Sequence, residues 1–199
     1  CSTDDATHLI KRSPNACVRV IPNAYPVLDQ LPQRCPSDVM HLLFLGTLSY
    51  QPNIDAVEYL VRDILPALRK SWQGTIQLCV AGRQPSQRVL ALHQPPDIVV
   101  EADVQDVKEA YAKSDIVLVP IRSGGGTRIK ILEALSLGRP IVSTSIGAEG
   151  LDLRDDKDIL IANTPAEFAK ACVRVARDEA FANNLVNGGR QRFIELYSD

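Results

Sequence analysis

A short stretch of the chain combines glycines, two cations and a carboxylate at spacings that suit the binding of an anion. In order, the residues concerned are Gly124, Gly125, Gly126, Thr127, Arg128, Lys130 and Glu133. Glycines let the backbone approach a ligand without a Cβ clash, and the free N–H groups at a helix N-terminus attract negative charge. Because cations are unfavourable in the first turn of a helix, Arg128 and Lys130 indicate that a phosphate binds there.

The same residues are also compatible with a simpler structure, namely a glycine turn whose two cations point into water. Known phosphate-binding loops offer no closer match. The spacing Gly-x-x-x-x-Gly-Lys-Ser/Thr of the P-loop is absent from the stretch. The dinucleotide fingerprint Gly-x-Gly-x-x-Gly with its following acidic residue is absent as well. The predicted phosphate site is therefore of another type.

Buried strands and amphipathic helices alternate along the chain and must position these residues. The sequence predicts strands at 40–45, 75–81, 98–102, 116–119, 141–144 and 159–162, and helices at 53–70, 86–92, 104–113, 127–137, 165–177 and 179–197. An extended piece at 18–21 and a proline-containing loop at 24–37 precede them. Such alternation predicts an α/β fold, a doubly wound parallel six-stranded sheet with helices on both faces.

In a sheet of this kind, ligands bind beyond the carboxyl ends of the strands. Small and polar residues follow the predicted strands at Gly46 and Thr47, Gly82, Asp103 and Val104, Gly124 to Gly126, and Ser143 to Gly147. We therefore expect the glycine stretch and these loops to meet along one edge of the sheet.

The composition is that of an ordinary globular domain and excludes several classes of partner. The net charge is −2 and 5% of the residues are aromatic, so we expect no nucleic acid partner. No apolar run reaches the ~18 residues of a spanning helix, so we expect no transmembrane segment. An odd number of scattered cysteines predicts a reducing, cytoplasmic environment without disulfides or zinc. These are Cys1, Cys17, Cys35, Cys79 and Cys172.

Several blocks of the sequence resemble one known enzyme family. The matching segments are 20–23, 44–48, 52–56, 125–135, 138–144 and 147–151, and the block from Gly124 to Leu151 is the most specific. They resemble the C-terminal, donor-binding domain of the family 4 retaining glycosyltransferases of the GT-B fold, also called glycosyl transferases group 1. The block at 125–135 is similar to that of one bacterial branch. The resemblance implies that the fold is the Rossmann-like half of a GT-B enzyme.

The same resemblance implies a division of the chain. Residues 1–24 would be a remnant of a preceding N-terminal domain together with the interdomain linker, and residues 25–199 would be the nucleotide-sugar-binding domain. The chain begins with Cys1 rather than Met, which fits a piece of a longer protein. Its own N-terminal domain would then bind the acceptor in the full-length protein.

The resemblance also implies a substrate. The donor would be a nucleotide-sugar, either a UDP-sugar or a GDP-sugar, used without a metal or another cofactor. A hexose-type sugar would pass to a glycan, a lipid-linked acceptor or a small molecule, as in polysaccharide biosynthesis. The implied location is the cytoplasm, and peripheral contact of the full-length protein with the inner membrane is left open.

Two family residues can be placed on this chain by resemblance. Glu133 corresponds to the glutamate that accepts hydrogen bonds from the ribose hydroxyls of the donor. The alternative for Glu133 is a salt bridge to Lys130, three residues earlier on the same helix. The family's other glutamate would fall at Gly125, where this chain has no carboxylate. A catalytic carboxylate is therefore not assigned.

The family's arginine and lysine after the first strand are also missing, because Gly46 and Thr47 begin a loop without cations there. We hypothesise that Arg128 and Lys130 neutralise the diphosphate instead, since an arginine fork suits phosphate oxygens. The Gly46 loop would line the same site.

Backbone groups would contact the rest of the donor. The N–H groups of Gly125, Gly126 and Thr127 would face the sugar or the β-phosphate. Val104 falls where the family recognises the base through its backbone, and Gly82 lies on the same edge.

Two other functions remain open from the sequence. The chain could belong to a catalytically inactive GT-B-like binding module, in which Gly125 marks the loss of activity, or to a nucleotide-sugar epimerase of related fold. Asp156 and Asp158 have the Asp-x-Asp spacing of a metal motif from another glycosyltransferase fold, but they lie in a charged turn, and we predict no metal site. The chain by itself is expected to bind a nucleoside diphosphate weakly and not to catalyse transfer.

Overall fold

The structure of the chain is a computed structural model that describes residues 3–13, 15–19, 24–27, 39–104, 106–125 and 128–198. Six parallel strands form one sheet. They are β1 (Val39–Leu45), β2 (Thr75–Gly82), β3 (Ile98–Ala102), β4 (Ile116–Val119), β5 (Ile141–Ser143) and β6 (Leu160–Ile161). Their spatial order is β3-β2-β1-β4-β5-β6, that of a doubly wound sheet whose strand order reverses between β1 and β4. The predicted fold class is confirmed.

Helices connect the strands and pack around the sheet. They are α1 (Thr3–Arg12), α2 (Gln51–Tyr59), α3 (Leu65–Ser71), α4 (Gln87–Leu90), α5 (Val107–Lys113), α6 (Ile129–Ser136), α7 (Pro165–Arg177) and α8 (Glu179–Tyr197). Helix α5 contacts β1 and β2, while α6 contacts β5 and α8. Helix α6, which carries the predicted cations, is therefore held between the sheet and the last helix of the chain.

The central strands are apolar because both faces of the sheet are covered. Every residue of β4 is buried, and so is each residue from Leu42 to Leu45 in β1. Continuous apolar runs, instead of alternation, are typical of parallel strands with helices on both sides. Strand β4 pairs with both β1 and β5. The loops that follow β1 and β4 therefore start from the buried centre of the sheet.

The predicted helix at 53–70 is present, but it contains a π-helical turn at Leu60–Ile64 between α2 and α3. There the N–H of Leu65 donates to the carbonyl of Leu60. Pro66 has no N–H, and its ring would clash with the carbonyl of Arg62 four residues earlier. The regular α-helical pattern is therefore interrupted just before the proline.

The starts of α5 and α6 differ from the predicted ones. Helix α5 begins at Val107 and not at Val104, because the Asp106 carboxylate accepts a hydrogen bond from the Lys108 N–H (2.8 Å) and so caps the helix. Helix α6 begins at Ile129, so Arg128 precedes the first turn in which it was predicted to lie. The predicted first residue of this helix, Thr127, lies outside the described residues.

The segment before β1 is only partly described. Residues 20–23 and 28–38, which include parts of the predicted extended piece and loop, lie outside the described residues. Within 24–27, the N–H of Tyr25 donates to the carbonyl of Tyr197 (2.9 Å), and the Ser136 hydroxyl donates to the carbonyl of Pro26 (2.7 Å). This segment is therefore attached to α8 and α6. A domain boundary at residue 24 stays a prediction.

Candidate functional site

A cleft of about 900 Å³ opens at the carboxyl edge of the sheet, within the size range of small-molecule sites. It is lined by the predicted site residues Gly46, Thr47, Gly82, Val104, Gly125, Arg128, Lys130 and Glu133. Gly147, from the loop that was expected at this edge, also lines the cleft, together with Tyr50, Pro52, Asn53, Val107 and Ser123, which were not predicted as part of the site. The strand-end loops thus meet at one edge, as the alternating pattern predicted.

One wall of the cleft is made by the backbones of Gly46 and Gly82. The Gly46 N–H donates to the carbonyl of Ala81 (3.1 Å), and the Leu48 N–H donates to that of Arg83 (2.8 Å). A Cβ atom on Gly82 would lie 1.7 Å from the carbonyl oxygen of Gly46. Only glycine allows this approach, because no side chain fits between the two backbones.

The glycine loop after β4 packs against the start of α2. Gly124 has a φ of +91°, and a Cβ atom there would lie 2.7 Å from Pro52 Cγ. Gly124 is therefore a structural turn residue beside the cleft and is not itself part of the lining. The Tyr50 hydroxyl donates to the carbonyl of Gly125 at 3.4 Å. Gly126 and Thr127, also predicted to bind the ligand, lie outside the described residues.

Arg128 is turned inward although its hydrogen bonds are few and long. Its side chain is 11% exposed. Its Nη2 lies 3.4 Å from the carbonyl oxygen of Gly124 and 3.3 Å from Oε2 of Glu149. Its Nε is buried and has no hydrogen-bond partner among the described residues. A buried guanidinium with unused donors can accommodate a further anion.

Lys130 lies deeper in the cleft. Its Nζ donates to Oδ1 of Asn53 (2.9 Å) and lies 4.6 Å from the centre of the Phe44 ring. Burial, followed by the charge of Arg128, lowers the pKa of Lys130 to about 8, and Glu133 partly opposes this. The simpler glycine-turn interpretation required both cations to point into open water, and neither does.

Asn53 fixes this lysine to the loop after β1. It is 7% exposed on the inner face of α2, and its Nδ2 donates to the carbonyl of Thr47 (2.9 Å). One amide therefore connects the cation on α6 with the Gly46–Thr47 loop. A polar residue buried within an otherwise apolar helix face was the only sequence signal for this role.

Glu133 faces the cleft one turn beyond Arg128 and Lys130. Burial raises the pKa of Glu133, while hydrogen bonds from Tyr111 and Tyr25 and the charge of Lys130 oppose the rise. The Tyr111 hydroxyl lies 3.1 Å from Oε2 of Glu133. The alternative, a salt bridge from Lys130, is not the contact that Lys130 makes, because its Nζ bonds to Asn53.

The Asp-x-Asp pair is occupied by arginines. Asp158 is bound by Arg154 through two hydrogen bonds of 2.8 Å, and Asp156 by Arg174 at 2.5 Å. Within the described part of the chain, no group of three or more His, Cys, Asp or Glu residues is arranged to hold a metal ion. In the same residues, every helix is too short or too polar to cross a membrane.

The cleft therefore combines a cationic wall with a carboxylate about one helical turn away. A model of the family described as glycosyl transferases group 1 matches residues 40–178. The chain belongs to this family. The match spans β1 to α7 and includes every described residue that was predicted to bind the ligand.

The relatives of this group 1 domain are distant in sequence, and the solved structures among them share its fold. An uncharacterised 44.6 kDa protein from the cps region of Klebsiella pneumoniae is 23% identical over 146 residues, which are 69% of this chain and 37% of that protein. Sucrose-phosphate synthase from Thermosynechococcus elongatus is 19% identical with a TM-score of 0.76, over 99% of this chain and 53% of that one. Anabaena HepE, crystallised with UDP and glucose, is 15% identical with the same TM-score of 0.76, over 99% and 58%.

The group 1 chain thus spans little more than half of these two structures and 37% of the curated relative. At these identities the structural likeness concerns the fold. What the cleft binds has to be argued from its own residues.

Proposed function

We propose that this chain is the nucleotide-sugar donor-binding domain of a retaining glycosyltransferase that transfers a hexose-type sugar from a UDP- or GDP-sugar. The observation that carries the proposal is the convergence of Arg128, Lys130 and Glu133 on one cleft at the carboxyl edge of the sheet. Two cations suit a diphosphate, and an ionised carboxylate, which only accepts hydrogen bonds, suits the hydroxyls of a ribose.

The diphosphate binds between Arg128, Lys130 and the backbone of the glycine loop. The long contacts of Arg128 with Gly124 and Glu149 leave it able to form shorter, charge-assisted hydrogen bonds with phosphate oxygens. Lys130 adds a second charge from a fixed position. Together they stabilise the charge that develops on the diphosphate as it leaves the sugar.

The nucleoside and the sugar occupy opposite parts of the cleft. The ribose bonds to Glu133, and the base lies toward Gly82 and Val104, which line the same cleft. The sugar lies toward Gly125, where a Cβ atom would meet none of the described residues within 4 Å. The open space at Gly125 leaves room for a sugar next to the phosphate-binding cations.

The acceptor enters from a separate N-terminal domain of the full-length protein. The chain covers 37% of the K. pneumoniae relative and 58% of the Anabaena structure with UDP and glucose. This difference in length supports a second domain, and the presence of UDP in that structure supports a nucleotide-sugar donor. The cps region from which the K. pneumoniae relative comes supports a role in polysaccharide biosynthesis.

Calorimetric titration of the chain with UDP, GDP, ADP and CMP tests the proposal. We expect saturable binding of one diphosphate, weakened about 10- to 100-fold by Arg128→Ala, which removes charge-assisted hydrogen bonds. Glu133→Gln should weaken binding of the same ligand. Arg69→Ala is the matched control, because Arg69 pairs with Asp97 on the surface. Equal affinity of the wild type and Arg128→Ala would contradict the phosphate role.

A binding module without transferase activity is the second candidate, and Gly125 is the observation that favours it. No carboxylate stands at that position, and its surroundings are open. Transfer of labelled sugar from the donor that binds best, measured on the full-length protein, separates the two candidates. Donor binding without transfer to any acceptor would favour the binding module.

A further inference from the structure

The carboxylate of Glu133 is held by two tyrosines that come from different parts of the chain. Tyr111, on α5, is fully buried, and its hydroxyl lies 3.1 Å from Glu133 Oε2 and 3.2 Å from the carbonyl oxygen of Lys130. The hydroxyl of Tyr25, in the segment 24–27, also hydrogen-bonds Glu133. Nothing in the ligand chemistry proposed above requires either phenol.

The segment that carries Tyr25 is hydrogen-bonded to two elements, the end of α8 and helix α6. The Tyr25 N–H donates to the carbonyl of Tyr197 (2.9 Å), and Tyr25 forms a parallel bridge with Ser198. The hydroxyl of Ser136, on the same helix as Glu133, donates to the carbonyl of Pro26 (2.7 Å). The backbone at Tyr25 and Pro26 is therefore held by α6 and α8 together.

The chemistry of a carboxylate explains what two phenols achieve there. An ionised carboxylate accepts about four hydrogen bonds and donates none. Two tyrosine donors leave about two acceptor positions, the number that the two adjacent hydroxyls of a ribose would use. Burial raises the pKa of Glu133, and both tyrosine hydrogen bonds oppose the rise. Among the described residues, Tyr111, Tyr25 and Lys130 are the titratable groups that lower the pKa of Glu133 against the effect of burial.

We infer that Tyr25 and Tyr111 are positioning residues that aim the ionised Glu133 carboxylate at vicinal hydroxyls of the bound nucleotide. The inference rests on the proposed function, since it assigns the geometry of the ribose subsite of the same cleft. It also assigns a binding role to the segment 24–27, because Tyr25 joins recognition of the ribose to the attachment of this segment on α6 and α8.

A purely structural role for the two hydroxyls predicts a different result. If they only satisfy buried polar groups, their removal lowers stability and weakens every ligand alike. If they aim Glu133, their removal weakens a ligand with both ribose hydroxyls more than a ligand that has lost one of them. Comparison of a nucleoside diphosphate with its 2′-deoxy form therefore separates the two roles.

The experiment is calorimetric titration of the chain with whichever of UDP, GDP and ADP binds best and with its 2′-deoxy form. We expect the wild type to prefer the ribonucleotide by about 10-fold or more, because the deoxynucleotide lacks one hydrogen bond to a charged group. Tyr25→Phe and Tyr111→Phe should each reduce this preference about 3- to 10-fold and change the affinity for the deoxynucleotide less, because that ligand keeps only the 3′ hydroxyl. Tyr59→Phe, a buried phenol beneath Arg122, should keep the full preference.

Glu133→Gln provides the second measurement. In that background, the addition of Tyr25→Phe should have no further effect on the ribose preference. An unchanged preference in both tyrosine variants, with ribonucleotide binding intact, would overturn the inference while the proposed function stands. A tyrosine effect that persists in the Glu133→Gln background would overturn it as well. If none of the diphosphates binds the wild type, the proposed function fails and the inference fails with it.

Discussion

The Nζ of Lys130 is hydrogen-bonded to Oδ1 of Asn53 at 2.9 Å, and Nδ2 of the same asparagine is hydrogen-bonded to the carbonyl of Thr47 at 2.9 Å. A neutral amide thus holds a buried cation without neutralising it. Because the burial of Lys130 is not balanced by an ion pair with Glu133, its pKa falls to about 8. The cation is held in place at a cost in stability, which fits the proposed anionic ligand.

Binding of a diphosphate should therefore depend on pH through Lys130. An anion beside the ammonium raises the pKa of Lys130 from about 8, so binding takes up protons, and affinity falls as the pH rises through 8. Titrations at pH 7, 8 and 9 in two buffers of different ionisation enthalpy measure this uptake. Lys130→Arg should abolish the dependence, since arginine stays protonated. Constant affinity of the wild type across this range would contradict the role of Lys130.

Replacement of Lys130 by methionine should stabilise the domain at pH 7. The pKa of Lys130 is about 8 in the folded chain, against 10.5 for an unperturbed lysine. The unfolded chain thus binds more protons between these values, and stability rises with pH across that window. Lys130→Met removes the cost and should raise the free energy of unfolding by roughly 1 to 3 kcal/mol at neutral pH.

Urea unfolding at pH 7 and pH 10 measures this effect, and the gain should shrink at the higher pH. Lys113→Met, on an exposed face of α5, is the control and should change stability by less than about 0.5 kcal/mol. A loss of stability in Lys130→Met would show that its contacts with Asn53 and Phe44 outweigh the cost of burial.

Removal of the charge on Glu149 should improve binding of the diphosphate. Glu149 is 62% exposed and shares Nη2 of Arg128 with the carbonyl of Gly124, so it competes with an incoming anion. Glu149→Gln should increase affinity about 2- to 5-fold, which corresponds to the energy of a surface ion pair. In an Arg128→Ala background the same change should have no effect. Weaker binding in Glu149→Gln would instead indicate that Glu149 orients Arg128 for the ligand.

Two glycines of the cleft should respond differently to alanine. In Gly82→Ala the new methyl group would overlap the carbonyl oxygen of Gly46 at 1.7 Å, and we expect a loss of more than about 3 kcal/mol. Gly125→Ala meets nothing within 4 Å and should change stability by less than about 0.5 kcal/mol. Thermal unfolding of both variants tests the difference. Similar melting temperatures would mean that the two loops can separate without loss of the fold.

The sequence was sufficient for the fold because its signals are local. Apolar runs gave all six strands within one or two residues, and α7 and α8 were predicted at their observed bounds. The π-helical turn was missed, since Pro66 was read as part of one continuous helix. The start of α5 was placed too early because the cap at Asp106 depends on a local conformation that periodicity does not show.

The candidate site was predicted from glycines and charges but not from the contacts that hold them. Most of the described residues that were predicted to bind the ligand line the cleft, while Gly124 forms a turn beside it. Asn53 and Glu149 were missed because each acts on a residue far away in the sequence. Pairings of this kind depend on which strands are neighbours in the sheet, and periodicity along the chain carries no information about them.

The π-helical turn at Leu60–Ile64 has a consequence for how this helix tolerates changes in length. On one side of the turn, α2 presents Pro52 and Asn53 to the cleft. On the other side, α3 packs on α7. Wider winding accommodates an additional residue, so each half keeps its own rotational phase. Deletion of one residue there should restore a regular α-helix and keep both faces in place, whereas deletion of one residue within α2 or α3 would turn one half by about 100° relative to the other. The π-helical turn therefore sets the rotation of the cleft-facing end of this helix relative to the end that packs on α7.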